Sequence, residues 1–171
     1  MSSHHSPSLH VSSESFQDGQ TLPPAQRSGK MRAGGKDESP QLSWSGAPAG
    51  TRGYAVTMFD PDAPGRGGFW HWAVLDLPAG VTSLPAGAGA GAEGGGHLPA
   101  GALQLKNDGG FHGYLGAAPP PGHGPHRYIV TVYALDVEHL GVDSGVSPGK
   151  LESRLAPHVL GRGTLTGIFE R

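Results

Sequence analysis

The sequence predicts an all-β fold: an antiparallel β-sandwich of two sheets, with one or two short helices near the C-terminus. Three observations carry that prediction. Apolar residues gather into short alternating runs, such as RGYAVTMFD at 52–60 and HRYIVTVYALDV at 126–137. Turn residues separate the runs, and the 171-residue chain holds 30 glycines and 16 prolines. Helix-start and helix-face signals coincide in one segment alone, so strands do not alternate with helices as a parallel sheet requires.

Read in order, residues 1–13 are rich in Ser and His with little to bury and are expected to form a flexible tail, ahead of a single domain over 14–171. A short strand is expected around Gln41 to Ser45, after a long Pro- and Gly-rich loop. In 52–60, Tyr54, Val56 and Met58 fall on one side and Ala55, Thr57 and Phe59 on the other, so both faces are expected to be covered. HWAVLDL, 71–77, places Trp72, Val74 and Asp76 opposite His71, Ala73, Leu75 and Leu77, and stops at Pro78. Trp70 and Trp72 are expected on opposite faces, one toward the core and one toward a rim or partner. The following stretch to Gly101, including the Gly-rich Ala86 to Gly101, offers almost no side chain to bury and reads as a surface excursion. Near the end, Ser147 is placed to cap a short helix with Pro148 at its first position and Leu151 and Leu155 on one face, ended near Pro157 or by Gly161 or Gly163. TLTGIF, 164–169, alternates weakly and suits an edge strand.

Composition excludes several function classes. Twelve basic against fourteen acidic residues leave a net charge of −2 with no basic window, which argues against nucleic acid as a partner. No apolar run reaches the roughly 18 to 20 residues of a transmembrane segment, and the first residues lack a secretory pattern, so a cytoplasmic protein is expected. The absence of cysteine removes disulfides, thiolate nucleophiles and zinc thiolate sites.

The polar residues converge by strand parity. If 54–59 and 71–77 are antiparallel neighbours, Asp60 and His71 lie at the same end of the pair. His126 and Tyr128 stand two apart at the start of the third run and leave the same face. In FDPDAP, Pro61 and Pro64 restrict the backbone around Asp60 and Asp62, which otherwise could simply cap a turn. The Gly- and Pro-rich segment before His126 lets backbone amides approach a ligand. An anion such as phosphate suits imidazoles and a tyrosine hydroxyl, with Asp60 orienting a histidine rather than touching the anion. A metal site lacks HxH or HExxH spacing, and a serine hydrolase lacks GxSxG. His97, His112, His123, His139 and His158 read most simply as solvated, although His112 and His123 lie close to the pocket loop.

DPDAP, FWHW, ND, GYLGAAPPPGHGPHRY and VYALD, with SFQDGQTLP and SPQLSWSGAPAGT before them, resemble the phosphatidylethanolamine-binding protein family in its bacterial Raf-kinase-inhibitor-like branch. The resemblance runs from about Glu14 to Arg171. It implies a two-sheet sandwich with an anion pocket formed by Asp60, Asp62, His71, Pro119, Pro120, His126 and Tyr128. It further implies binding of phosphate, acetate, phosphorylethanolamine-like groups or a phosphorylated residue, with regulation of a kinase or protease rather than turnover, and a homodimer; separately, neither a cofactor nor a metal is expected. The rival expectation is a small phosphoesterase or lipid-head-group hydrolase with His71 or His126 as acid or base.

Overall fold

The computed structural model describes residues 8–65, 67–90 and 97–171. They form two antiparallel sheets, as the alternating runs predict. The larger has strand order β6-β4-β3-β7-β8, built from β3 (Gly53–Asp60), β4 (Phe69–Pro78), β6 (Leu103–Gln104), β7 (His126–Leu135) and β8 (Val159–Phe169). The smaller has order β1-β2-β5, with β1 (His10–Ser12), β2 (Leu42–Ser45) and β5 (Ser83–Leu84). One helix, α1 (Pro148–Leu155), precedes a 3₁₀ turn at Ala156–His158, and another 3₁₀ turn lies at Pro24–Gln26.

The two faces of the larger sheet bury different material. Tyr54, Val56 and Met58 of β3 join Trp72 and Val74 of β4, Val130 and Val132 of β7, and Leu42 and Trp44 of β2 in the core between the sheets. On the opposite face Ala55, Ala73, Leu75 and Tyr133 are covered by Leu151 and Leu155 of α1. This double coverage explains why β3 is apolar on both sides. Burying each such Leu contributes about 2 kcal/mol.

Several boundaries differ from expectation. The flexible tail does not extend to residue 13: Val11 pairs with Trp44 across β1 and β2, and Leu9 and Val11 are buried, two apolar residues being enough to dock a short edge strand. Residues 1–7 lie outside the described residues. The excursion after Pro78 is not free of burial either, because Leu84 pairs with Leu42 and Ala88 enters the core. Residues 91–96 of the Gly-rich stretch lie outside the described residues. Ser147 occupies the N-cap position without a side-chain capping bond. Gly161 and Gly163 do not stop the helix; they belong to β8, where they pair with Ala134 and Val132. β8 is the edge strand expected at TLTGIF, but it is longer because β7 offers it a continuous partner.

β4 breaks the alternation twice, and both breaks are β-bulges. Tyr54 pairs with Leu77 while Val56 pairs with Val74, so one extra residue is accommodated near Asp76, which adopts φ 58°. Its carboxylate accepts from the Leu140 amide at 2.9 Å. Leu77 thereby returns to the core face of Trp72 and Val74, contrary to the simple alternation. Met58 then pairs with Trp72 and Phe59 with Trp70, which leaves His71 as the inserted residue. Trp70 and Trp72 therefore occupy opposite faces, Trp72 in the core and Trp70 against the Phe59 ring, tilted by 36° with centroids 4.3 Å apart.

Candidate anion-binding site

Three strand ends meet at one rim of the larger sheet. Asp60 ends β3, Phe69 opens β4 and His126 opens β7. The link from β3 to β4 turns back tightly at Gly68, where φ is 115° and an added Cβ would lie 2.7 Å from the Asp60 carbonyl oxygen. Only glycine fits there without displacing the carboxylate's own backbone.

These ends enclose a cavity of about 200 Å³ lined by Asp60, His71, His126 and Tyr128, with Phe69, Met31, Ala63, Pro64, Ala118, Pro119 and Pro120 as apolar walls. Of the residues expected at the site, Asp60, His71, Pro119, Pro120, His126 and Tyr128 are brought together. Asp62 is not. Its carboxylate is taken by Arg127, which donates from its backbone N, Nε and a terminal nitrogen, each at 2.9 Å. That fork, followed by the charge and backbone bonds of Arg127, holds the Asp62 carboxyl down at about 2. Asp62 braces the proline turn against the start of β7 instead of facing the cavity.

Asp60 is 2% exposed and His126 1% exposed. His126 Nδ1 lies 2.6 Å from Asp60 Oδ2, and the amide of Asp62 donates to Asp60 Oδ1 at 2.8 Å. Both carboxylate oxygens are thus engaged, and a carboxylate can only accept, so Nδ1 of His126 carries the proton. On its other side, His126 Nε2 meets Nδ1 of His123 at 2.6 Å. The rings of His123 and His126 cross edge to face at 4.8 Å.

His71 reaches the cavity because of its bulge. Its Nδ1 donates to the Leu115 carbonyl at 2.7 Å, and the Leu115 amide donates back to the His71 carbonyl at 3.0 Å. Asn107 shapes the loop that delivers Leu115, with its side chain donating to Gly113 and accepting from Gly109. Burial pushes the His71 pKa down, against the Leu115 bond and the Asp60 charge, which favour the cation. His71 is therefore neutral near pH 7, and its Nε2 is an acceptor. It sits 4.7 Å from the Phe69 ring and 5.3 Å edge-on to Tyr128.

Burial, and then the Asp60 charge, drive the Tyr128 pKa far up, so its hydroxyl keeps its proton and can donate to an acceptor. The Pro119 wall is held from outside: Arg171 Nε donates to the Pro119 carbonyl at 2.7 Å, and the Gly122 amide donates to the Arg171 carbonyl at 2.8 Å. The cavity thus offers a phenol donor, an imidazole acceptor and an imidazole neutralised by a carboxylate, inside apolar walls. No cluster of three or more metal-ligating side chains occurs among the described residues.

Sequence reasoning did not place Met31, Ala63, Pro64, Phe69 or Ala118 at the site, although Pro64 reads as stiffening the turn. Met31 left a trace, since it is a lone large apolar residue in the polar stretch QRSGKMRAGGKDE and is 48% exposed. Phe69 was legible only as the residue preceding WHW. His123, read as most simply solvated, is joined to the site through His126.

The same architecture recurs in known proteins. The chain is 43% identical over 157 residues to the protein YbhB of Escherichia coli, covering 92% of this chain and 97% of that one. It is 36% identical to a putative lipoprotein, LppC, of Mycobacterium tuberculosis, covering 95% of this chain and 71% of that one. The crystal structure of E. coli YbcL, described as a new member of the mammalian PEBP family, superposes with a TM-score of 0.90 at 39% identity, covering 95% and 98% of the two chains. The pattern of one family, described as phosphatidylethanolamine-binding protein, matches residues 12–170, which span every strand of both sheets except the first two residues of β1, and all of the cavity. On fold, relatives and matched span together, this chain belongs to the phosphatidylethanolamine-binding protein family.

Proposed function

We propose that the cavity captures a small oxyanion of the phosphate type, free or carried on a phosphorylated group, and that the protein works by binding rather than by turnover. The observation that supports this most is the Asp60–His126 pair. Asp60 lines the cavity, but its Oδ2 is bonded to the imidazole and its Oδ1 to the Asp62 amide, so its charge is offset by its own partners and repels an anion less than a free carboxylate would. Tyr128 donates to a bound oxygen. Neutral His71 accepts from the hydroxyl of a monoprotonated phosphate. The apolar walls strengthen each contact by excluding water.

The larger ligand would be a phosphorylated side chain on a kinase or protease that the chain regulates, in the cytoplasm and as a homodimer. No helix among the described residues is long and apolar enough to cross a membrane. The relative LppC is named a lipoprotein, which raises membrane attachment as the competing location, and cell fractionation decides between them. Light scattering of the purified chain tests the dimer.

A second reading, hydrolysis, draws on the same carboxylate–imidazole pair, which is what a general base needs. Among the described residues the cavity lining contributes no Ser, Thr or Cys to act as nucleophile, so that reading would rely on water. Calorimetric titration with phosphate and with phosphorylethanolamine, alongside release of phosphate from the latter, separates the two. Saturable binding without release supports capture, and release lost on replacing His71 or His126 overturns it. The tighter of the two ligands distinguishes a free phosphate from a head group.

A further inference from the structure

We propose that His123 is a displaceable gate residue that occupies the ligand-facing nitrogen of His126 until an anion takes its place. This rests on the reading of the cavity as an oxyanion site. His126 is fully committed in the structure: Nδ1 to Asp60 and Nε2 to His123, each at 2.6 Å. It lines the cavity but has no ring nitrogen left for a ligand. An anion can gain His126 Nε2 only if His123 lets go.

The two partners of His126 differ in how firmly they are held. Asp60 is buried, ends a central strand, and is bonded through its second oxygen. His123 is exposed and sits in the turn between the PPPG wall and β7. It is flanked by Gly122 and Gly124 at φ 77° and 90°, and a Cβ added at either glycine would meet nothing within 4 Å. The space beside both glycines is open; the Gly122 amide is tied to the Arg171 carbonyl at 2.8 Å, while the amide of His123 itself is tied only locally, to Pro120 at 3.2 Å. A side chain so placed exchanges its hydrogen bond for water at small loss.

The two contacts hold one proton each, and the proposal places a third on His123 Nε2. When the Asp60–His126–His123 chain holds one proton in each hydrogen bond and one on His123 Nε2, the two imidazoles together carry one positive charge, balanced by Asp60. On release, the proton between the rings stays on His126 Nε2. His123 leaves as a neutral imidazole with its proton on Nε2, and His126 presents an N–H to an oxyanion. The occupant must therefore be a hydrogen-bond acceptor, which suits a phosphate oxygen and excludes an ammonium group.

The test compares the wild-type chain and His123→Ala by calorimetric titration with inorganic phosphate, with imidazole nitrogen NMR of the wild type during the same titration. The expected result is binding roughly tenfold tighter in the variant, the factor set by about 1.4 kcal/mol of lost competition. In the wild type, the His123 Nδ1 signal should move toward its solvent-exposed position as phosphate saturates. Weaker binding by His123→Ala would make His123 a ligand contact and overturn the gate. Equal affinities with an unmoved His123 signal overturn the gate while leaving the anion site intact. Phosphate binding to neither protein removes the anion site and the gate with it.

Discussion

Asp60 and His126 form a 2.6 Å carboxylate–imidazole pair in which neither side chain is more than 3% exposed. The pair joins the end of a central strand to the beginning of its neighbour, and it closes the inner side of the cavity. Removing one partner leaves the other buried and uncompensated. Asp60→Ala should therefore lower stability by about 3 kcal/mol or more, read from denaturant midpoints, and should abolish phosphate binding. A loss below about 1 kcal/mol would mean that the pair is solvated in solution.

His71 makes the fold sensitive to acid. Its folded pKa lies below the ordinary histidine value, so the unfolded chain binds more protons than the folded one as pH falls through about 6.5. The stability contributed by neutral His71 is present above that value and is lost on acidification toward the folded pKa. Denaturation midpoints should fall between pH 7.5 and pH 5 on the scale of ordinary histidine titration, and His71→Gln should flatten that fall. An unchanged slope in the variant would assign the acid sensitivity to other groups.

The Asp62–Arg127 fork is on the outside of the turn, with Arg127 55% exposed. Arg127→Ala should change stability little, as removal of an exposed ion-pair partner does. It should leave phosphate affinity unchanged, because Asp62 does not line the cavity. The Asp62 carboxyl, held at about 2, should rise toward the usual carboxylate range in carbon NMR titrations of the variant. A large affinity loss would return Asp62 to the ligand set.

Gly68 links backbone shape to the site. Gly68→Ala places a methyl against the Asp60 carbonyl and inside the contact distance of the Phe59 ring, at a φ that alanine resists. A loss of about 1 to 3 kcal/mol is expected, with weaker phosphate binding because Asp60 moves with its backbone. Unaltered thermal unfolding would show that the turn relaxes freely.

How much of this was legible from the residues varies by element. The alternation of 54–59 reports β3 and its two covered faces because side chains in a strand must leave opposite sides. HRY places His126 and Tyr128 on one face for the same reason, and the helix at Pro148–Leu155 follows from Pro148 and the Leu151–Leu155 spacing. By contrast, Leu9 and Val11 were invisible as a strand, since a three-residue edge element carries too few residues to establish a period.

By itself the sequence determined the all-β class and the strand parities of β3 and β7, and with them the faces that Asp60, His126 and Tyr128 leave, because these depend on a local period of two. Only the tertiary structure decided that His71 faces them. Plain alternation puts His71 on the helix side with Ala73 and Leu75, and the inserted residue opposite the Met58–Phe59 step turns it to the cavity. It likewise decided that Asp62 turns to Arg127 and that His123 reaches His126. A bulge, a fork across a turn and a contact between a loop and a strand arise from pairing and packing between segments, for which no local pattern exists.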